Sequence, residues 1–247
     1  QGMILGLAYE DSEKKLVPSD HVTEVEGGYA AHGKPVRQVV AKMSKSLKNV
    51  INPDDILSEF GADSLRMYEM FMGPLDITKP WNTKDVGGVS RFLQRIWRLL
   101  IDEETGELRP AGLADAPELE RALHRCIKKV SDDIERMAFN TAVSAMMIFL
   151  NEASTVNAPL LSHSQRERLV LTLAPFAPHM CEELWERLGH KKTLAYHEYP
   201  SYSEEMLLDD VIEVPVQVNG KLRARLQVSP EISKEELEKM ARAAVAE

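Results

Sequence analysis

The chain has 247 residues and a net charge of -9, with 44% hydrophobic and 28% charged side chains. That supports one large core or two smaller ones, and no run of about 18 apolar residues is present to cross a bilayer. The acidic balance excludes a surface that is basic throughout but leaves room for local basic stripes, because exposed charges act over only about 8 Å at physiological salt. No basic segment precedes the apolar Met3-Ile4-Leu5, so no signal peptide is expected; with no initiator Met, either an excised fragment or a short scar is expected.

Residues 1 to about 50 mix short apolar runs with turn signals. Ile4–Tyr9 and Val36–Val40 read as strands, and Gly27-Gly28 marks a turn between shorter ones. From Asn52 the pattern becomes helical. Asn52-Pro53-Asp54-Asp55 is a helix start, with a capping side chain, Pro in the first turn and acidic groups at the positive dipole end. Gly61 stops that helix, and a second runs from an N-cap at Asp63 to Met72, ended by Gly73-Pro74.

Longer helices are predicted over 85–102, with Val89, Leu93, Ile96, Trp97 and Leu100 on one face, then over 117–137 and 140–156, the last carrying the stripe Val143, Met146, Met147, Leu150. A further helical segment, 163–188, must break at Pro175 and Pro178. Long helices with short loops read as a bundle. After Pro200, alternation over Val211–Val218 and Leu222–Val228 flanks Asn219-Gly220, a hairpin signal, and Ser233-Lys234-Glu235-Glu236 opens a final helix as a capping box. The expected fold is mainly α: a partial α/β remnant, an antiparallel helical bundle, and a short β-hairpin/helix unit. The two cysteines, Cys126 and Cys181, fall in helical stretches as free thiols, and no Cys-x-x-Cys exists. The seven histidines show no zinc-ligand spacing, so no metal site is expected.

Chemistry concentrates in Lys42-Met43-Ser44-Lys45-Ser46, which offers two ammonium groups and two hydroxyls within five residues after a strand-like run. Two lysines three apart in a loop can converge on one polyanion, and neighbouring hydroxyls and backbone N–H groups can donate beside them. A solvated basic loop gives the same composition. Arg91, Arg95 and Arg98 form a stripe opposite the apolar face of 85–102, and Arg121, Arg125 and Lys128 repeat it on 117–137. Such stripes suit phosphate contacts, and a solvated helix face gives the same pattern. Lys221, Arg223 and Arg225 share one strand face, and His179 beside the double-Pro break reads as structural.

The pentapeptide at 42–46 is identical to the signature of class I aminoacyl-tRNA synthetases, which the chain resembles over essentially its whole length. Asn49-Val50-Ile51-Asn52-Pro53 and Gly61-Ala62-Asp63-Ser64-Leu65-Arg66 continue the resemblance, as does the shared Leu173-Ala174-Pro175-Phe176-Ala177-Pro178-His179. Met72–Asn82, Arg91–Arg98, Phe139–Ala142 and Val216–Arg223 resemble the bacterial leucyl branch. One departure is Leu47-Lys48, where Lys-Gly is more usual.

The resemblance implies residues 1–83 as the C-terminal part of the catalytic domain, 84–200 as a helical anticodon-binding-type domain, and 201–247 as the start of a small α+β domain that ends early. It implies leucine activation with ATP and Mg2+, and transfer to tRNA(Leu), in a cytoplasmic monomer with no membrane contact. ATP falls to Lys42, Ser44 and Lys45, with Lys42 and Lys45 catalytic; tRNA falls to Arg66, Arg91, Arg95, Arg98, Lys221 and Arg223. No His-x-Gly-His is present, so the chain alone is expected to be inactive. A non-catalytic tRNA-binding module and an isoleucyl, valyl or methionyl relative are the alternatives.

Overall fold

A computed structural model describes residues 2–155, 158–207, 212–218, 221–228 and 232–244, and its backbone divides into two units, Gln1–Ser201 and Tyr202–Glu247. The first begins with a sheet around β1 (Ile4–Glu10), which pairs antiparallel with β2 (Leu16–Val17) and β5 (Lys34–Ala41). Strand β5 continues to β4 (Gly28–Ala31), and β4 to β3 (Val22–Val25). The β4–β5 link is a two-residue loop, His32-Gly33, with both residues at positive φ (50° and 75°), whose twist matches the flanking strands. Strand β6 (Lys79–Pro80) pairs parallel with β1 at Ile4 and Leu5, the only parallel strand pair among the described residues.

Helix α1 (Pro53–Phe60) starts as its sequence dictates: Asn52 accepts the N–H of Asp54 at 3.2 Å. Gly61, at φ 83°, ends α1 and opens α2 (Ala62–Phe71), with no side-chain cap. Asp63 is therefore not the N-cap expected from sequence; as a residue inside α2 its carboxylate points away to a distant partner. Helix α3 (Thr83–Leu100) is capped by Asn82, and α4 (Pro117–Glu135) and α5 (Phe139–Ala153) follow. The predicted 163–188 segment is two helices, α6 (His163–Leu173) and α7 (Pro178–Arg187), with Pro178 at the first position of α7, where its missing N–H costs nothing.

The core of this unit is built from Val89, Leu93 and Ile96 of α3, Leu123, Ile127 and Val130 of α4, Val143, Met146, Phe149 and Leu150 of α5, and Leu169, Leu173 and Leu184 further on. Each such side chain contributes about 2 kcal/mol of apolar burial. The α5 stripe is rotated slightly from its sequence expectation: Phe149 is buried, and Met147 sits half-buried at the rim. Cys126 and Cys181 are buried free thiols, and burial pushes Cys126 up to about 12, so neither is a nucleophile at neutral pH.

Two polar clusters tie the helices together. Buried Arg166 donates from Nη1 to the Arg109 carbonyl at 2.7 Å and from Nη2 to that of Pro110, fixing the α3–α4 loop against α6. Glu120 of α4 receives a bidentate pair from Arg168 of α6 at 2.6 and 2.8 Å and a bond from Gln165 at 2.9 Å. No described helix is long and apolar enough to span a membrane.

The second unit pairs β7 (Ile212–Val218) antiparallel with β8 (Lys221–Val228), with a register shift at Val216/Gln217. The predicted Asn219-Gly220 turn lies outside the described residues. Helix α8 (Lys234–Ala243) is capped by Ser233, whose Oγ accepts the Glu236 N–H at 3.2 Å and donates to the Glu236 carboxylate at 2.9 Å.

Candidate phosphate-binding loop and its surroundings

The Lys42–Ser46 segment leaves the end of β5 and turns over residues 45–48. Its organising residue is Asn49, which is 7% exposed. The Asn49 Oδ1 accepts the Ser44 N–H at 2.9 Å and its Nδ2 donates to the Lys42 carbonyl at 3.4 Å, so one side-chain amide holds both ends of the Lys42–Ser44 stretch. Ser44 Oγ accepts the Leu47 N–H at 3.2 Å and lies 3.1 Å from Ser46 Oγ. The Leu47 carbonyl accepts the Ser19 N–H at 2.9 Å.

Gly6 of β1 makes this approach possible. A Cβ there would lie 2.7 Å from the Asn49 carbonyl oxygen and 3.0 Å from Met43 Cγ, closer than real contacts allow. Lys48 has φ 53°, a conformation that favours glycine. A Gly, which the resemblance implies at this point, would have a backbone reason, and this chain carries the strain with Lys48.

Within this tied backbone the two lysines are left to solvent. Lys42 and Lys45 are exposed, and neither has a carboxylate partner among the described residues. An exposed pair of unneutralised ammonium groups keeps its field for an incoming anion. The peptide from Met72 to Asn82, by contrast, is structural: Lys79 N–H donates to the Met3 carbonyl and Trp81 N–H to that of Leu5, while the Tyr68 hydroxyl accepts the Asn82 N–H at 3.1 Å. Burial raises the Tyr68 hydroxyl above its ordinary value, and its ring meets Trp81 edge-on at 4.9 Å.

Known proteins resemble this chain along most of its length. Residues 32–75 match the family model "tRNA synthetases class I (I, L, M and V)", and residues 117–238 match "Anticodon-binding domain of tRNA ligase". The leucine–tRNA ligase of Rhodococcus jostii (strain RHA1) is 46% identical over 241 residues, covering 98% of this chain and 26% of that protein. Over nearly its whole length this chain is similar to the leucyl members of the class I tRNA synthetases. The leucine–tRNA ligase of Streptomyces coelicolor is 45% identical over 245 residues, again 98% of this chain and 25% of the relative. The chain thus spans about a quarter of the length of these relatives. A crystal structure of the ternary complex of the Agrobacterium radiobacter K84 agnB2 LeuRS with tRNA and LeuAMS superposes with a TM-score of 0.68 at 31% identity, covering 83% of this chain and 28% of that one.

In the rest of the chain the remaining candidate residues are dispersed. Arg66 is exposed on α2, with one guanidinium nitrogen donating to the Pro175 carbonyl at 3.2 Å. On α3, Arg91, Arg95 and Arg98 are all exposed along one stripe. Arg91 has no hydrogen-bond or ion-pair partner among the described residues. Arg95 donates to Asn151 Oδ1 at 2.9 Å, and Arg98 is paired with Glu103 at 3.1 Å. On the α4 stripe, Lys128 is paired with Asp132 at 3.0 Å and Arg125 reaches Glu152 at 4.0 Å. In the second unit Lys221 and Arg223 are exposed on β8. Sequence reasoning passed over Asn49 and Gly6, although Asn49 opens one of the stretches that carry the resemblance.

Proposed function

We propose that this chain forms part of a leucine–tRNA ligase, which activates leucine with ATP and transfers the leucyl group to tRNA(Leu) in the cytoplasm. In this reading it supplies the phosphate loop and helices that meet tRNA, and is inactive without the rest of the catalytic domain. The observation that carries it is the pair of exposed lysines, Lys42 and Lys45, on a backbone held by the buried Asn49.

The chemistry follows from charge. The leucine carboxylate attacks the α-phosphorus of ATP, the bond to the bridging oxygen breaks, and negative charge accumulates on the departing pyrophosphate. Lys45 faces that charge most directly, with Lys42 beside it; preorganised cations lower the barrier because they strengthen their contact as the charge develops. With Ser46 as donor in the 3.1 Å hydroxyl contact and the Leu47 N–H donating to the same oxygen, Ser44 has its one hydroxyl proton to give to a phosphate. Mg2+ enters with ATP as part of the substrate. Arg66, Arg91, Arg95 and Arg98, together with Lys221 and Arg223, contact tRNA phosphates.

Leucine-dependent pyrophosphate exchange in a full ligase carrying this segment tests the reading. Lys45→Ala is expected to lower kcat by about 100-fold or more, on the order of 3 kcal/mol. Exchange at the wild-type rate would overturn the assignment.

A further inference from the structure

Three side chains far from the lysine loop converge on one point. His163 and Glu167 stand one turn apart on the same face of α6, with His163 Nε2 3.2 Å from Glu167 Oε1. His190, from the loop after α7, brings its Nε2 to 2.5 Å from the same carboxylate oxygen. Donor atoms of all three lie within 4.8 Å of one another.

The third member is held in place. Gly189, at φ 102°, reverses the chain, and the His190 N–H donates back to the Trp185 carbonyl at 3.3 Å. The imidazole then stacks on the buried Trp185 ring at 3.6 Å and an interplanar angle of 4°. His163, by contrast, is 57% exposed and free to adjust.

We propose that His163, Glu167 and His190 form a site for a divalent transition ion of the zinc type, with the fourth position left to water or an incoming ligand. Two imidazoles and one carboxylate are a zinc donor set, and bonds of about 2.0–2.1 Å in tetrahedral geometry put donors about 3.3 Å apart. The His163–Glu167 separation already has that span, and a small rotation of the Glu167 carboxyl opens the His190 side. Glu167 supplies the negative charge that offsets the positive start of α6, whose first turn holds no acidic residue. Lys191 and Lys192 lie next in sequence to His190, but their charges reach the site through solvent and are weak beside coordinate bonds. The ion would clip the start of α6 to the loop after α7, and its binding displaces any imidazole protons shared with Glu167.

The test uses the 247-residue chain without a polyhistidine tag, stripped with chelator and titrated with Zn2+ by calorimetry and with Co2+ by visible absorption. One ion per chain, a dissociation constant below about 100 μM, tetrahedral-type Co2+ bands and a Zn2+-dependent rise in Tm are expected. His163→Asn, at an exposed position, should weaken Zn2+ at least about tenfold and remove the Co2+ bands without changing the metal-free Tm. His190→Asn should weaken the ion similarly. Absence of saturable one-to-one binding in the wild-type chain, or a site that survives both variants, overturns the proposal.

Discussion

The Asp63 carboxylate on α2 caps α7, more than a hundred residues away, through His179. Asp63 Oδ1 accepts from His179 Nδ1 at 2.8 Å and from its backbone N–H at 3.3 Å, and Oδ2 accepts the Met180 N–H at 2.7 Å. Helix α7 has no capping side chain of its own, so an acid from another helix satisfies its free N–H groups and its dipole. The neighbouring Arg66–Pro175 bond fastens the same junction. Asp63→Ala is expected to lower unfolding free energy by about 2 kcal/mol, with Asp63→Asn recovering part of it. Urea denaturation of the three chains measures this, and a loss under about 0.5 kcal/mol would mean that solvent replaces the cap at no cost.

Asn49 offers a different kind of test, because it positions the lysine loop without presenting charge. Asn49→Ala removes the bonds to Ser44 N–H and the Lys42 carbonyl while leaving Lys42 and Lys45 intact. In a full ligase, pyrophosphate exchange is expected to fall about tenfold or more through kcat, with a stability loss near 1 kcal/mol. Asn49→Asp keeps the acceptor for Ser44 N–H but presents a second oxygen to the Lys42 carbonyl, so it should rescue only part of the rate. A kcat unchanged in Asn49→Ala would show that substrate alone orders the loop.

Local rules made most elements legible. Asn52 and Ser233 mark helix starts because capping depends on neighbours within one turn, and Pro178 marks a break that proves to be the start of α7. The lysine loop was legible as a motif. Asp63 was not: its spacing fits an N-cap, but Gly61 takes that position and the carboxylate serves a helix distant in sequence. The His163–Glu167–His190 cluster was hidden for the same reason, since a 23-residue gap to the third member fits no metal spacing until α6 and α7 fold together. Whether an exposed arginine is free or tied, as for Arg91 against Arg98, also depends on neighbours that periodicity cannot supply.

Glu120 sets an acid limit on stability. Burial pushes its carboxyl up, but hydrogen bonds from Arg168 and Gln165, the Arg168 charge and His124 outweigh this and hold it at about 2, against an ordinary 4.5. Because the folded value is depressed, its contribution is fully present above about pH 4.5 and is lost as pH falls toward 2. A shift of that size corresponds to about 3 kcal/mol at most. Glu120→Gln should therefore be destabilised at neutral pH and converge on the wild-type chain as pH approaches 2, followed by chemical denaturation at stepped pH. Some acid slope should remain in the variant: burial also pushes the Asp133 carboxyl up, but Lys129, Thr141 and Arg136 bring it below its ordinary range. A parallel pH profile for the two chains would remove Glu120 from the acid transition.

The α3 arginines can be ranked by how far each is already committed. Arg91 has no partner among the described residues, Arg95 gives one nitrogen to Asn151, and Arg98 is held by Glu103 and Gln94. A phosphate must compete with those partners, so the expected loss of tRNA affinity runs Arg91→Ala, then Arg95→Ala, then Arg98→Ala. Each arginine that meets a phosphate releases counterions, and its removal should flatten the slope of log K against log salt by about 0.7 to 0.9. Filter binding of tRNA(Leu) to a full ligase from about 50 to 200 mM salt reads both quantities. Arg95→Ala also breaks the α3–α5 link to Asn151, so its slope must be compared at matched stability. A slope unchanged in the triple variant would leave the stripe as a solvated helix face, with tRNA held elsewhere.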